Sequence, residues 1–153
     1  MDVRLKVSGR IAMPVHEVFE AVADPAKLSG YFTTGGAKGR LETGALVTWD
    51  FADFPGAFPV HVVEVVADQR IVLRWGAADG VDDPGGNYET TVTMTFEGLD
   101  DGRTLMVITE EGWRETEAGL RSCIGNTEGW TGMLCALKVY IEQGINLRAG
   151  FYK

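Results

Sequence analysis

Two helical hydrophobic patterns flank a long region of strand-like alternation. Val15, Val18, Phe19 and Val22 repeat at the i, i+3, i+4, i+7 spacing of one helix face, directly after a proline. A second helical pattern covers residues 115–143. The sequence therefore predicts a short helix near its start and a long helix near its end, with strands between them.

Seven segments have strand character, and most are bounded by glycine, proline or aspartate. They are residues 3–12, 39–42, 45–51, 60–66, 70–75, 88–99 and 103–111. Residues 39–51 are predicted to form a hairpin that turns at Thr43 and Gly44, and residues 26–32 a second short helix. Since helices and strands do not alternate along the chain, we predict an antiparallel sheet and the α+β class. The expected architecture is a curved sheet of about seven strands wrapped around the long C-terminal helix.

Four glycines make the last helix unusual. Gly119, Gly125, Gly129 and Gly132 each cost up to about 1 kcal/mol relative to alanine inside a helix. Either the helix is broken near Gly125, or these glycines lie where the sheet approaches closely. We expect the helix to end at Gly144.

Composition limits the function classes. A chain of 153 residues is expected to form one domain over residues 1–153. Its net charge of −8 and its lack of a basic cluster argue against nucleic-acid binding. No signal segment or membrane-length apolar run is present, so we expect a soluble cytoplasmic protein. Cys123 and Cys135 would lie about 18 Å apart on one helix, which predicts two reduced thiols.

Large rings are the main candidates for a binding site. The number of large rings on strand faces and on the last helix exceeds what a filled core of this size requires. Such rings typically line apolar ligand pockets. The predicted cavity residues are Phe32, Trp49, Phe51, His61, Trp75, Tyr88, Trp113, Trp130 and Leu134. Plain core packing is the alternative for these rings.

Catalytic chemistry has few candidates. His16 is expected to be solvated, whereas His61 shares a strand face with Val63 and Val65 and faces inward if that face does. Glu110 and Glu111 point to opposite faces of one strand, so one of them could be a buried acid. We consider Glu111 or His61, assisted by Tyr88, as an acid/base group.

Metal and cofactor sites are not predicted. Asp79, Asp82 and Asp83 lie in a Gly/Asp-rich loop at residues 76–86 but lack the spacing of a calcium loop. The glycine-rich residues 35–39 open a strand and lack the phosphate-loop pattern. We therefore expect no metal and no cofactor.

Short segments along nearly the whole chain resemble one family. They are Ile11-Ala12-Met13-Pro14-Val15, Val18-Phe19-x-Ala21, Asp24-Pro25, Tyr31-Phe32, Gly39-Arg40-Leu41, residues 70–75, residues 91–96, Gly112-Trp113, Gly129-Trp130, Leu134 and Leu137-Lys138-x-Tyr140-Ile141-Glu142. The sequence resembles the heat-shock protein 90 ATPase activator homologue-like family of the START/birch-pollen-allergen (SRPBCC, helix-grip) superfamily. The resemblance implies a helix-grip fold with an internal hydrophobic cavity.

Three functions follow as hypotheses. The first is binding of a small apolar ligand, lipid-like or aromatic, between the sheet and the last helix. The second, which the superfamily implies, is a cavity-based enzyme of the cyclase, dehydratase or hydrolase type. The third is a chaperone-linked interaction module. The eukaryotic chaperone activators carry an additional N-terminal domain, whereas this sequence begins at the first strand, which argues against chaperone activation. An exposed sheet edge or the apolar loop at residues 53–59 could support a homodimer.

Overall fold

The computed structural model describes residues 2–78 and 87–153. In chain order its elements are β1 (Arg4–Ile11), α1 (Val15–Ala23), α2 (Pro25–Leu28), β2 (Gly36–Lys38), β3 (Leu46–Asp50), β4 (Phe58–Val66), β5 (Arg70–Gly76), β6 (Glu89–Gly98), β7 (Thr104–Glu111) and α3 (Glu117–Gln143). Residues 79–86 of the predicted acidic loop, which include Asp79, Asp82 and Asp83, lie outside the described residues.

The strands form one seven-stranded sheet in the order β1-β7-β6-β5-β4-β3-β2. Every neighbouring pair is antiparallel, and the order leaves β1 and β2 as the two edges. The helix α3 packs on the sheet, most closely along β1. The α+β class, the antiparallel sheet and the long C-terminal helix are therefore confirmed.

Local signals explain where α1 and α2 begin and end. The carbonyl of Pro14 accepts the first helical hydrogen bonds, from the N–H groups of Glu17 and Val18 at 3.0 and 3.2 Å. Asp24 ends α1 in an extended conformation, and its side chain caps α2 by accepting from the Ala26 N–H at 2.9 Å. The helix α2 is shorter than predicted because residues 29–32 form turns.

The long helix is continuous through its glycines. It begins after Thr116, whose side chain accepts from the Gly119 N–H at 3.0 Å, and it ends at Gly144 with a φ of 71°. Of the two alternatives, the break near Gly125 is therefore wrong. Close approach of the sheet does not account for the glycines either, since a Cβ on Gly125 or Gly129 would meet no atom within 4 Å. A Cβ on Gly119 would clash with the Arg114 carbonyl and one on Gly132 with the Tyr152 hydroxyl, and neither of these groups belongs to a strand.

The hairpin predicted over residues 39–51 differs in its first strand. The strand β2 lies earlier, and Gly36 pairs with Asp50 and Lys38 with Thr48. The end of α1 holds the residues that follow, since the Leu41 N–H donates to the Ala23 carbonyl at 3.1 Å. The Arg40 guanidinium also donates two hydrogen bonds to Glu20, at 2.7 and 2.8 Å. These contacts replace strand pairing in this segment.

The residues after α3 fold back onto the loop between β3 and β4. Arg148 forms an ion pair with Asp53, and each side chain is 10% exposed. Nη2 donates to Oδ1 at 3.0 Å, while Nε lies 2.9 Å from Oδ2 without hydrogen-bond alignment. The guanidinium also lies 4.6 Å from the ring centroid of Phe51 and 5.0 Å from that of Tyr152. This C-terminal segment thus stabilises the loop that carries Phe51.

Both cysteines carry free thiols, with Cys123 buried and Cys135 exposed. Burial raises the pKa of the Cys123 thiol above its usual value, and the nearby Glu110 adds to the effect.

Within residues 2–78 and 87–153, none of the helices combines the length and the apolar character that crossing a lipid bilayer requires.

Candidate functional site

A cavity of about 670 Å³ lies between α3 and one end of the sheet. It is bounded by the end of β3, the start of β4, the end of β5 and the start of β6. Its lining residues are Phe51, Phe58, Pro59, Trp75, Gly76, Ala77, Ala78, Asn87, Tyr88, Glu89 and Asn126. Most of them are apolar or aromatic, and the size is typical of small-molecule sites.

The rings beside this cavity form a continuous cluster. Trp130 stacks on Trp75 at 5.3 Å between ring centroids and on Phe32 at 5.7 Å. Trp49 meets the same two rings edge-on, at 5.9 and 5.8 Å. Phe58 lies 5.9 Å from Trp75. Phe32, Trp49 and Trp130 are buried behind the cavity, whereas Trp75 and Phe58 line it.

A buried carboxylate lies at the centre of this arrangement. Glu110 on β7 is 0% exposed. Its Oε1 accepts from Trp130 Nε1 at 2.8 Å and from Asn126 Nδ2 at 3.0 Å. Its Oε2 accepts from Trp75 Nε1 at 2.8 Å and from Thr90 Oγ1 at 2.6 Å. The carboxylate thus connects β5, β6 and β7 to α3.

These donors occupy both oxygens of Glu110. A carboxylate offers about four acceptor positions, and the neighbouring side chains fill them. We considered an inward-pointing Glu111 as an acid/base group, but Glu111 is exposed. The glutamate that points inward is Glu110. Glu110 holds the side chains around it in place and does not line the cavity.

His61 lies on the outer face of the sheet. Its side chain is 53% exposed, and Nε2 is 3.4 Å from Oε2 of Glu89. Val60 and Val62 point inward instead, and a bulge between Val62 and Glu64 then shifts the alternation. The expected inward face of His61, Val63 and Val65 is therefore not formed. His16 is exposed as predicted and contacts Asp68 at 2.8 Å.

The remaining predicted cavity residues lie at different places. Tyr88 lines the cavity, and its hydroxyl accepts from the Arg114 backbone N–H at 3.0 Å. Trp113 is buried beside it, with Nε1 donating to Ser122 Oγ at 3.2 Å. Leu134 is buried farther along α3, against Gly9 of β1. The structure thus gathers Phe51, Trp75 and Tyr88 at the cavity, whereas Phe32, Trp49 and Trp130 back it.

Sequence reasoning missed one residue that shapes this site and assigned another to the wrong kind of element. Asn126 projects from α3 into the cavity and bonds Glu110, and Phe58 lies in β4, where we predicted a loop. A signal for Asn126 was available, because Ser122, Asn126 and Trp130 lie four residues apart on one helix face.

In the part of the chain that the structure describes, no three His, Cys, Asp or Glu side chains come close enough to hold a metal ion.

The sequence matches a described protein family over most of its length. Residues 12–142 match the profile of the family described as Activator of Hsp90 ATPase homolog 1-like protein. No functionally curated protein matches the chain.

Solved structures share the fold. Protein SSP2350 from Staphylococcus saprophyticus is 28% identical, with a TM-score of 0.75 over 97% of this chain and 96% of that chain. DynU16, a putative protein in the dynemicin biosynthetic locus, is 27% identical, with a TM-score of 0.77 over 94% of this chain and 49% of that chain. The Aha1 dimer from Colwellia psychrerythraea is 18% identical, with a TM-score of 0.74 over 93% of this chain and 98% of that chain. Because the profile match spans most of the sequence, the chain belongs to the Activator of Hsp90 ATPase homolog 1-like family.

Proposed function

We propose that this protein binds a small apolar, ring-bearing molecule in the cavity between the sheet and α3. The observation that carries the proposal is the lining itself, in which Phe51, Phe58 and Trp75 lie around about 670 Å³ and apolar residues outnumber polar ones. Burying apolar ligand surface against such rings contributes about 25 cal/mol per Å².

The ring cluster supports a site that is formed before the ligand arrives. Trp75 is fixed by its stacking on Trp130 and by its hydrogen bond to Glu110. A fixed ring loses little conformational entropy when a ligand packs on it, which favours affinity. The fold family and the relative from the dynemicin biosynthetic locus are compatible with this function but do not identify a ligand.

Binding accounts for the geometry better than catalysis. His61 and Glu111 are exposed and do not line the cavity, although His61 contacts the lining residue Glu89 at 3.4 Å, and both oxygens of Glu110 already accept hydrogen bonds. The chaperone-linked role, the homodimer and the cytoplasmic location stay predictions.

A truncation of the lining tests the proposal. Phe58 lines the cavity and its ring contacts Phe51 and Trp75, so Phe58→Ala removes apolar contact surface for the ligand. We expect the wild-type protein to bind Nile red or dihydroxyanthraquinone with micromolar affinity, and Phe58→Ala to weaken that binding at least tenfold. Affinities are measured by fluorescence titration and by the shift of the thermal unfolding midpoint.

Phe151→Ala is the matched control. The Phe151 ring is 63% exposed and does not line this cavity. This variant should bind the probes like the wild-type protein. The proposal is wrong if no probe binds the wild-type protein, or if both alanine variants bind equally well.

A further inference from the structure

Asn126 is a polar residue of the cavity lining, and a hydrogen bond to the buried Glu110 fixes the orientation of its side-chain amide. It lines the cavity from α3, and its Nδ2 donates to both oxygens of Glu110, at 3.0 and 3.2 Å. Glu110 cannot turn away, because Trp130 and Trp75 donate to it from α3 and from β5. The asparagine is thus held in one position by a carboxylate that is itself held in place.

This contact determines which end of the amide is available. Rotating the amide by half a turn would set Oδ1 against the oxygens of Glu110, two acceptors without a hydrogen between them. Nδ2 therefore stays on the carboxylate, and Oδ1 is the polar atom left for the cavity. Among residues 2–78 and 87–153, no donor forms a hydrogen bond to Oδ1 of Asn126. This oxygen is not fully buried.

We infer that Asn126 Oδ1 is the hydrogen-bond acceptor for the ligand, which is a ring compound carrying a hydroxyl or N–H donor. This inference rests on the proposed function and specifies the ligand class. The rings of Trp75 and Phe58 contact the apolar part of the ligand, and the donor points towards α3. A ligand that presents a carboxylate at this position is excluded, because it would face the acceptor oxygen of Asn126 with Glu110 behind it.

The selectivity follows from the apolar surroundings of Oδ1. A ligand without a donor displaces water from this oxygen and leaves it unpaired in an apolar site. Sites that are built to bond a hydroxyl reject analogues that lack it much more strongly than they reject a change in apolar size. The protein should therefore prefer the analogue that carries a donor. Simple transfer from water into an apolar site would favour the more apolar analogue instead.

A pair of probes that differ in one methyl group tests the inference. A hydroxyflavone and the methoxyflavone substituted at the same position have the same ring system, but only the first has a donor. We expect the wild-type protein to bind the hydroxyflavone about tenfold more tightly. We also expect the side-chain amide resonances of Asn126 to shift more with the hydroxyflavone in a nitrogen–proton correlation spectrum.

Two variants locate the effect. Asn126→Leu has a similar volume without the acceptor, so it should bind both flavones with equal affinity. Glu110→Gln should reduce the preference, because the new amide no longer requires Nδ2 of Asn126 to face it. Glu111→Gln, the exposed neighbour with the same change of charge, should keep the wild-type preference.

Each outcome discriminates the inference from the proposed function. Equal flavone affinities in the wild-type protein, or a preference that persists in Asn126→Leu, overturn the inference and leave apolar binding standing. Binding of Nile red with neither flavone bound also overturns the inference alone. Failure of every probe overturns both. If Glu110→Gln does not fold, Asn126→Leu and the wild-type resonances still decide.

Discussion

The indole N–H of Trp130 donates a 2.8 Å hydrogen bond to Oε1 of Glu110, and this bond links α3 to β7 in the interior of the protein. Trp130 is 2% exposed and Glu110 is 0% exposed. Water therefore cannot replace either partner when the other is removed. A hydrogen bond to a charged group in such a place contributes about 1.5–3 kcal/mol.

The contribution of this bond can be isolated with two identical substitutions. Trp130→Phe removes a donor to Glu110, whereas Trp49→Phe removes an indole N–H that has no hydrogen-bond partner among the described residues. Both tryptophans are buried and contact the rings of Phe32 and Trp75. We expect Trp130→Phe to lower the free energy of unfolding by about 1–3 kcal/mol more than Trp49→Phe does, measured by urea denaturation. Equal losses would show that the bond to Glu110 contributes nothing net.

Glu110 and Glu111 provide a second matched pair. Glu110→Gln introduces an amide nitrogen that faces donors such as Trp75 Nε1 and Thr90 Oγ1. We expect the free energy of unfolding to fall by about 2–4 kcal/mol, because buried polar groups lose their acceptors. Glu111→Gln lies on the exposed face and should change it by no more than about 0.5 kcal/mol. Chemical denaturation at neutral pH measures both, and similar losses in the two variants would contradict the central role of Glu110.

Tyr31 makes the protein sensitive to alkali. Its side chain is fully buried, and its hydroxyl donates to the Ala21 carbonyl at 2.9 Å. Burial raises the pKa of Tyr31 well above its usual value of 10.0, and the nearby Tyr140 adds to the shift. Above that pH the unfolded chain loses a proton that the folded chain keeps. The contribution of Tyr31 is thus fully present below pH about 10 and is lost as the pH rises towards the folded-state pKa.

The test compares wild-type protein with Tyr31→Phe over that pH range. The phenylalanine cannot ionise, so the free energy of unfolding of the variant should fall less steeply above pH about 10. At neutral pH the variant should be less stable by about 1 kcal/mol, since the Ala21 carbonyl loses its donor. Parallel alkaline declines for both proteins would show that Tyr31 is not the responsible group.

The Arg148–Asp53 ion pair should couple the C-terminal segment to the loop between β3 and β4. Arg148→Ala leaves the Asp53 carboxylate nearly buried without its cation, so we expect a loss of about 2–4 kcal/mol. Arg148→Ala combined with Asp53→Ala should restore part of that loss, because no uncompensated charge remains. A double-mutant cycle by urea denaturation measures the coupling, and additive losses would contradict it.

The antiparallel sheet and its terminal helix could be predicted from sequence because their patterns are local. In β6, Val92, Met94 and Phe96 are buried, as their alternation with threonines predicts. Gly144 ends α3 in the left-handed conformation that its position predicts. Each of these features depends on neighbours only a few residues away.

The side-chain directions in β4 and β7 could not be predicted in the same way. Apolar residues occupy both faces of β7, since Leu105 and Val107 alternate with Met106 and Ile108. The alternation of side chains along the strand therefore could not decide whether Glu110 or Glu111 points inward. In β4 the bulge after Val62 changes the phase, and valines stand on both sides of it.

Contacts between distant segments are harder to predict. Arg148 and Asp53 are 95 residues apart in sequence, and Asn126 meets Glu110 across the space between α3 and the sheet. Helix periodicity places Asn126 on the face of Trp130, but no periodic pattern identifies the residue of another segment that it contacts.

The charge along β1 has a consequence for self-association. The strand lies at an edge of the sheet of this acidic protein, and Lys6 and Arg10 project from it as exposed cations, together with Arg4, which pairs with Asp2. If two copies of β1 aligned side by side to extend the sheet, these cations would gather along the seam and repel one another. The strand therefore protects its own edge against fibre-like growth, and assembly of this chain is expected to use another surface.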